Sequence, residues 1–358
     1  MIPLNQQWLD ALLPEQKKFA LEKRGRTFLY KFLWKHGEHL FIIGNTGSGK
    51  TQKAYFIVRW IATTKETVIW LDSAKNGELL PLLTLGHPVQ IICPKGTDVI
   101  IKEWNDDEHQ YTRMKNHPLV TTVPDAGSAW WAVRKKYINI FCFRNAFDKA
   151  EDRLKWMGEL FASLGVWTRK QTFPHIYPFC FVGDEAHWFN AGAKLTSDQE
   201  RTQLAELITE HALTIRGPGG RLVLIAQGHK NLPVATRENL QTTLLCRGAK
   251  VSPEENNTLS EFNNRTSRYN PDQGLFVYPG GYTYPPGWPW PFPFFPMPKL
   301  RIEYVGEFDS KTDKQIKEEE IEQEIIPDLS KYNALCQDLI GYEVPHISNR
   351  YELISYHD

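Results

Sequence analysis

The amino-acid sequence predicts an α/β fold with a mostly parallel β-sheet covered by helices. Short apolar runs rich in β-branched residues alternate with longer amphipathic segments, which is typical of strands that are buried on both faces and joined by helices. The first of these runs, Leu40-Phe41-Ile42-Ile43, leads directly into a glycine-rich segment, and a helical pattern follows it. A strand, a glycine-rich turn and a helix in this order form a site for phosphate groups.

The glycine-rich segment is a complete match to the P-loop pattern G-x-x-x-x-G-K-[ST]. It consists of Gly44, Asn45, Thr46, Gly47, Ser48, Gly49, Lys50 and Thr51. The glycines let backbone N–H groups turn inward around a polyphosphate, which would also lie at a helix N-terminus. We expect Lys50 to reach the β- and γ-phosphates and the Thr51 hydroxyl to help hold Mg²⁺. The sequence therefore predicts a nucleoside triphosphate site, with ATP and Mg²⁺ as its ligands.

The remaining elements follow from the same alternation. Strands are predicted at 67–72, 89–94, 137–143, 177–189, 221–228 and 242–248. Helices are predicted at 14–36, 145–167, 198–216 and 311–326, besides the one that follows the P-loop. Residues 95–135 are interpreted as an irregular, polar insertion, and 274–287 as a hairpin around Pro279-Gly280-Gly281.

These elements divide the chain into one core with an addition at each end. We expect an N-terminal helical region at 1–36, a core at 37–305, and a charged helix with an appendage at 306–358. Prolines alternate with aromatic residues at 279–298, which indicates an extended strip that either packs along its own domain or docks a partner. The helix at 311–326 is either a solvated face or an acidic tail that binds a partner.

The composition limits the partners. Lys+Arg and Asp+Glu both number 42, so the chain carries no net charge that would attract a polyanion as a whole. A nucleic-acid contact would need a local patch, and Arg134-Lys135-Lys136 beside Trp130 and Trp131 is the candidate. This segment either follows a nucleic-acid backbone or is a solvated helix end.

Cysteine usage and hydropathy indicate the compartment. The cysteines Cys93, Cys142, Cys180, Cys246 and Cys336 show no C-x-x-C spacing. They are interpreted as buried thiols rather than a disulfide frame or a zinc site. The sequence shows no signal-peptide pattern and no membrane-spanning apolar run. We therefore expect a cytoplasmic protein, or a virion-associated one if the source is viral.

Two later segments supply candidates for catalysis. The strand at 177–189 runs into Asp184 and Glu185. We expect Asp184 to lie in the Mg²⁺ shell and Glu185 to accept a proton from the attacking water. Gln227 ends the strand at 221–228, and its amide would sense the γ-phosphate and position water. His187 either couples the phosphate state to a neighbouring element or makes a structural hydrogen bond.

Together these residues resemble the HerA/FtsK class of P-loop ATPases, which includes type IV coupling proteins, viral genome-packaging ATPases and the Zot-like group. Four stretches carry the resemblance: the P-loop, the acidic turn, the segment from Arg216 to Gln227, and the residues after the second strand. In this last stretch Asp72, Lys75 and Glu78 are similar to the coupling-protein pattern, with Asn76 as an extra residue. The resemblance implies a RecA-like (ASCE) P-loop NTPase core with a small β element.

The resemblance also implies how the protein would work. It predicts a ring, which in this class is usually a hexamer, with ATP at subunit interfaces and duplex DNA in the channel. Arg216 best matches the arginine that reaches into the neighbouring subunit's nucleotide site, with Arg221 and Arg247 as reserves. A nuclease, a relaxase or a capsid or portal-type protein would be a further partner. The leading hypothesis is thus an ATP-hydrolysing DNA translocase for packaging or transfer. The alternative is a Zot-like assembly ATPase or nucleotide switch that acts on protein partners.

Overall fold

The computed structural model describes residues 38–64, 66–72, 77–143, 147, 150–170, 175–186, 199–278, 282–284, 290–291 and 294–306. The strands are β1 (Leu40–Ile43), β2 (Thr67–Asp72), β3 (Val89–Pro94), β4 (Thr97–Asn105), β5 (Gln110–Arg113), β6 (Leu119–Val123), β7 (Ile138–Cys142), β8 (Phe179–Gly183), β9 (Gly220–Ala226), β10 (Thr242–Cys246), β11 (Gln273–Tyr278), β12 (Tyr282–Tyr284), β13 (Trp290–Pro291) and β14 (Leu300–Gly306). The helices are α1 (Lys50–Ala62), α2 (Ala126–Ala132), α3 (Ala150–Lys170), α4 (Gln199–Thr214), α5 (Val234–Glu238), α6 (Asn257–Ser260) and α7 (Asn263–Thr266), with 3-10 helices at Leu80–Thr84 and His229–Asn231.

A large mixed sheet organises these elements. Its strand order is β12-β11-β10-β1-β9-β8-β2-β7-β3-β6, with β13 paired to β11. Every neighbouring pair from β10 to β6 is parallel, whereas β11 pairs antiparallel with β10, β12 and β13. The predicted α/β class with a mostly parallel, RecA-like sheet is thereby confirmed. Strand β9 lies between the P-loop strand β1 and the acidic strand β8.

Both faces of the sheet are covered. Alternate residues of β1 belong to different cores, because successive side chains of a strand point to opposite faces. Phe41 and Ile43 pack with residues of α2, α3 and α4. Leu40 and Ile42 pack with α1, the 3-10 helix at Leu80–Thr84 and residues of β4 and β14. This two-sided burial explains why the parallel strands appear in the sequence as continuous apolar runs.

The interpretation of residues 95–135 as an irregular insertion is wrong. This segment contains β4, β5, β6 and α2, and β6 adds a parallel edge strand to the main sheet. β4 and β5 form an antiparallel hairpin that β14 extends into a second, three-stranded sheet. In β4, Val99 and Ile101 are buried while Asp98 is exposed. A half-buried strand needs apolar residues on one face only, and the exposed acidic turn that follows obscured this alternation.

The other predicted elements agree with the structure within their described parts. The strands predicted at 67–72 and 89–94 have the predicted bounds, and those at 137–143, 177–189, 221–228 and 242–248 are confirmed with shorter bounds. The hairpin is confirmed as β11 and β12, although its turn at 279–281 lies outside the described residues. The helices predicted at 14–36 and 311–326 also lie outside the described residues. The same holds for Lys75, His187 and Cys336.

All of the cysteines except Cys336 lie in the described part of the chain. Cys93, Cys142, Cys180 and Cys246 are buried free thiols, as predicted. Burial raises the pKa of the Cys246 thiol and, with the nearby Asp98 carboxylate, raises that of Cys93 to about 12. These thiols are therefore protonated and act as small apolar groups. Among the described residues, no helix has the length and apolarity that crossing a bilayer requires.

The neighbouring residues Trp130 and Trp131 allow a matched test of the packing. Trp130 is fully buried, and its indole N–H donates to the Leu160 carbonyl oxygen at 2.8 Å, whereas Trp131 is 53% exposed. We expect Trp130→Ala to lower the free energy of unfolding by about 3–5 kcal/mol. Trp131→Ala should lower it by less than about 1 kcal/mol. Urea unfolding of both variants measures the difference, and equal losses would contradict this packing.

Candidate nucleotide-binding site

The P-loop has the backbone geometry that phosphate binding requires. Gly47 and Gly49 have φ angles of 71° and 72°, in the left-handed region that glycine adopts without strain. Asn45 N–H donates to the Arg247 carbonyl oxygen at 3.2 Å, which fixes the loop to the end of β10. The Lys50 ammonium donates to the carbonyl oxygens of Gly44 (2.9 Å) and Asn45 (3.0 Å), so it already lies along the loop.

A buried lysine that sequence reasoning missed holds the loop from behind. Lys53 has no exposed surface, and its ammonium donates to the carbonyl oxygens of Ser48 (3.0 Å), Gly49 (3.2 Å) and Pro271 (2.6 Å). Burial lowers the pKa of Lys53, although Cys246 and Asp272 oppose that shift. Its position on the apolar face of the helix was the available signal, because a lysine on a buried face needs partners.

The P-loop meets the acidic turn across the sheet. The Thr51 hydroxyl donates to Asp184 Oδ2 at 3.2 Å, and the Glu185 N–H donates to Asp184 Oδ1 at 2.8 Å. Asp184 directly follows β8, and Thr51 lies in the first turn of α1. Parallel strands end at one edge of a sheet, so the two residues predicted to bind metal are brought together there.

Both carboxylates of the acidic turn are withdrawn from water. Asp184 is 4% exposed and Glu185 5% exposed. Glu185 has a φ of 52°, which is uncommon for a residue with a Cβ and marks a strained backbone. Asp184 contacts Thr51, and Glu185 follows it in the turn with its side chain buried.

The oxygen atoms at this edge fit Mg²⁺. Hydroxyl and carboxylate oxygens are the hard ligands that Mg²⁺ takes, together with phosphate oxygens and water. Burial, and then the carboxylates of Glu78, Asp184 and Asp72, raise the pKa of the Tyr55 hydroxyl well above its usual value. The edge therefore carries negative charge that a divalent cation would offset. In the part of the chain that the structure describes, no group of three or more His, Cys, Asp and Glu side chains is arranged to hold a metal ion.

Gln227 lies beside the P-loop. Ile43 of β1 is paired with Ala226 of β9, so the next residues, Gly44 and Gln227, leave the sheet side by side. The Gln227 side chain is exposed. On the other side of β9, Gly183 is paired with Leu224, which places the acidic turn at the same edge. The register thus brings the P-loop, Gln227 and the acidic pair together.

The three candidate arginines have different environments. Arg216 is exposed in the turn between α4 and β9, at the edge of the sheet opposite to the P-loop. Arg247 is exposed at the end of β10, next to the P-loop of its own chain. Arg221 is fully buried and lies against Glu66 Oε1 (3.4 Å) and the Glu38 carbonyl oxygen (3.1 Å). Arg221 is therefore excluded as a residue that enters a neighbouring subunit.

A buried polar cluster follows Gln227, and sequence reasoning also missed it. Glu255 lies 3.1 Å from His229 Nδ1, 3.0 Å from the Lys230 ammonium and 3.7 Å from the Arg237 guanidinium. Burial, and then the Arg237 charge, lower the pKa of His229 to about 4, so the ring is neutral at neutral pH. The cluster connects the segment after Gln227 to the wall of a cleft of about 580 Å³, which residues 248–253 also line.

The described part of the Pro/aromatic strip packs on its own domain. Phe295 is buried, its N–H donates to Gln52 Oε1 at 2.7 Å, and its carbonyl oxygen accepts from Gln52 Nε2 at 2.9 Å. Gln52 belongs to α1, the helix that starts at the P-loop. Of the two interpretations of the strip, these contacts favour packing along its own domain.

No protein-family model matches this sequence, and no curated protein matches it either. Solved structures similar to this chain include the genome packaging NTPase B204 from Sulfolobus turreted icosahedral virus 2 in complex with ATP-gammaS, at a TM-score of 0.38 and 11% identity over 72% of this chain and 97% of that one. Thermomonospora curvata EccC (ATPases 2 and 3) has a TM-score of 0.42 and 17% identity, over 74% of this chain and 39% of that one. The pCW3 conjugation coupling protein TcpA has a TM-score of 0.39 and 13% identity, over 73% and 61%.

Packaging NTPases and conjugation coupling proteins are groups that the sequence resemblance names.

Gly49 and Gly47 provide a matched test of the loop. A Cβ on Gly49 would lie 2.3 Å from the Pro271 carbonyl oxygen, whereas a Cβ on Gly47 would have no atom within 4 Å. Both residues have positive φ, so either alanine costs about 1–2 kcal/mol. The steric clash should cost Gly49→Ala about 1–3 kcal/mol more. Urea unfolding without nucleotide measures both losses, and equal losses would show that Pro271 does not confine the loop.

Proposed function

We propose that this protein is an ATP-hydrolysing, ring-forming DNA translocase that couples hydrolysis at subunit interfaces to movement of DNA. The contact that carries the proposal is the 3.2 Å hydrogen bond from the Thr51 hydroxyl to Asp184 Oδ2. It joins the P-loop to a buried acidic pair, and a P-loop beside such a pair is equipped for hydrolysis as well as binding.

The roles of the residues follow from their positions. Backbone N–H groups of Gly44–Thr51 would bind the phosphates, with Lys50 on the β- and γ-phosphates. Thr51 and Asp184 would hold Mg²⁺, which when bound neutralises charge on the phosphate oxygens. Glu185 would take the proton of the attacking water, because it is a carboxylate directly next to the residue that would hold the metal ion. Gln227 would orient this water through its amide.

The position of Arg216 supports a site completed by a second subunit. β9 separates Arg216 from the P-loop edge, so Arg216 has no short path to the nucleotide of its own chain. Because its side chain is exposed, it could instead contact the nucleotide of a neighbouring copy of the chain. A cation there would stabilise the charge that develops on the γ-phosphate. Arg216 is therefore our candidate for the arginine in trans, and Arg247 is the alternative.

The protein's ATPase rate with and without DNA tests the proposal. We expect the full chain to hydrolyse Mg²⁺-ATP, to form rings with ATP, and to turn over several-fold faster with duplex DNA. Glu185→Gln is the control, because it should keep ATP binding and lose at least about 100-fold in rate, the typical contribution of a general base. Turnover that DNA leaves unchanged, in protein that forms no rings, would favour the protein-directed assembly ATPase instead.

Mixing two inactive variants tests the arginine in trans. Arg216→Ala should be inactive because each site lacks its neighbour's cation, and Lys50→Ala because its own site is defective. In a mixture, the intact Arg216 of a Lys50→Ala subunit can serve the site of an Arg216→Ala subunit, so activity should return. Arg247→Ala mixed in the same way is the matched comparison. If the Arg216→Ala mixture stays inactive while rings still form, Arg216 does not act in trans.

A further inference from the structure

An aromatic platform lies at the edge of the sheet opposite to the nucleotide site. Trp131, on α2, is 53% exposed and stacks on His175 with ring centroids 5.2 Å apart and an interplanar angle of 14°. The Trp167 ring centre lies 5.2 Å from that of Trp131, at an interplanar angle of 55°. Trp131 lies near the end of α2, which leads into β7, and Trp167 and His175 precede β8. The three rings therefore lie at the amino edge of the sheet, where its parallel strands begin.

Three cations follow the platform directly. Arg134, Lys135 and Lys136 are exposed in the turn between α2 and β7. The sequence from 126 to 143 contains no Asp or Glu. The nearest acid before it, Asp125, accepts hydrogen bonds from the Ser128 N–H and hydroxyl at 2.8 Å and so caps α2. The segment that follows Trp131 is therefore positively charged, although the chain as a whole has no net charge.

The basic turn is held in place by a buried side chain. Asn139 is fully buried, and its Oδ1 accepts from the Arg134 N–H at 2.8 Å. Its Nδ2 donates to the carbonyl oxygens of Arg134 (2.9 Å) and Tyr137 (3.1 Å). The Arg134 guanidinium lies 5.9 Å from the centre of the Tyr137 ring. Because the turn is fixed before any ligand binds, little ordering is needed to present its cations.

We propose that this surface binds a single strand of nucleic acid, with a base stacked on Trp131 and backbone phosphates on Arg134, Lys135 and Lys136. A half-exposed indole ring beside backbone-binding cations is the arrangement that single strands use, because every base has a face that can stack. A duplex covers those faces by its own stacking and would gain only the phosphate contacts. The site lies at the sheet edge opposite to the P-loop and does not require ATP hydrolysis or a ring.

The test measures binding of a fluorescein-labelled 20-nucleotide oligothymidylate by anisotropy, without nucleotide, over a series of salt concentrations. We expect Trp131→Ala to weaken binding about tenfold, since stacking contributes about 1–3 kcal/mol per base. Trp131→Phe should restore most of the affinity. Lys135→Ala should lower the slope of log affinity against log salt by about 0.7, the loss of one phosphate contact on a single strand.

Matched controls come from exposed residues elsewhere. Phe294 is 60% exposed and adjoins Phe295, which contacts Gln52 at the start of α1, and Lys95 is exposed at the carboxyl end of β3, so Phe294→Ala and Lys95→Ala should bind the strand like the wild-type protein. Wild-type affinity of Trp131→Ala would overturn the proposal. So would an equal loss for a 20-base-pair duplex, since that indicates phosphate contacts without stacking. A change in oligomer size with unchanged strand affinity would show instead that Trp131 contacts another protein subunit.

Discussion

The Thr51 hydroxyl reaches Asp184 Oδ2 over 3.2 Å, although the two residues lie far apart in the chain and their strands do not touch. β9 lies between β1 and β8, and both pairings are parallel. The carboxyl ends of all three strands therefore meet at one edge, which brings the P-loop, Gln227 and the acidic turn together. The candidate site depends on this register, because an antiparallel β9 would carry Gln227 to the other edge.

Buried contacts of Lys53 and Glu255 hold the segments that form this edge. The Lys53 ammonium donates to the carbonyl oxygens of Ser48, Gly49 and Pro271. Because Lys53 is buried, water cannot replace these acceptors. The buried cluster around Glu255 fixes the chain just after Gln227. A site whose groups are already in place loses little free energy to reorganisation when charge develops on a phosphate. The opposite edge carries the exposed Arg216 and Trp131, so the contacts that we propose for these two residues lie away from the nucleotide site of their own chain.

Much of the parallel sheet and of the candidate site could be predicted from the sequence, because short continuous stretches of residues indicate them. Leu40–Thr51 contains a strand, a loop and a helix start, and the glycines determine the geometry of the loop. Asp184 follows a buried strand whose apolar residues are equally clear in the sequence. The hairpin at β4 and β5 was missed because only one face of β4 is apolar, so its pattern resembles a polar loop. The second sheet could not be predicted at all, since β14 joins β4 from the far end of the core.

Side-chain environments were harder to predict than strands. Arg221 and Arg216 both fitted the arginine position, and only the fold shows that Arg221 is buried against Glu66 while Arg216 is exposed. Trp130 and Trp131 are adjacent in sequence, yet one is in the core and the other faces water. These differences depend on which way a turn or a helix faces, and tertiary packing decides that.

A double-mutant cycle on Thr51 and Asp184 tests most directly whether they form one metal–nucleotide site. The affinity for Mg²⁺-ATP would be measured by calorimetry for the wild-type protein, Thr51→Val, Asp184→Asn and the double variant. Residues that share one ligand should be coupled by about 0.5–3 kcal/mol, so the double variant should lose clearly less than the sum of the single losses. Losses that add within about 0.5 kcal/mol would contradict a shared site, because independent positions behave in that way.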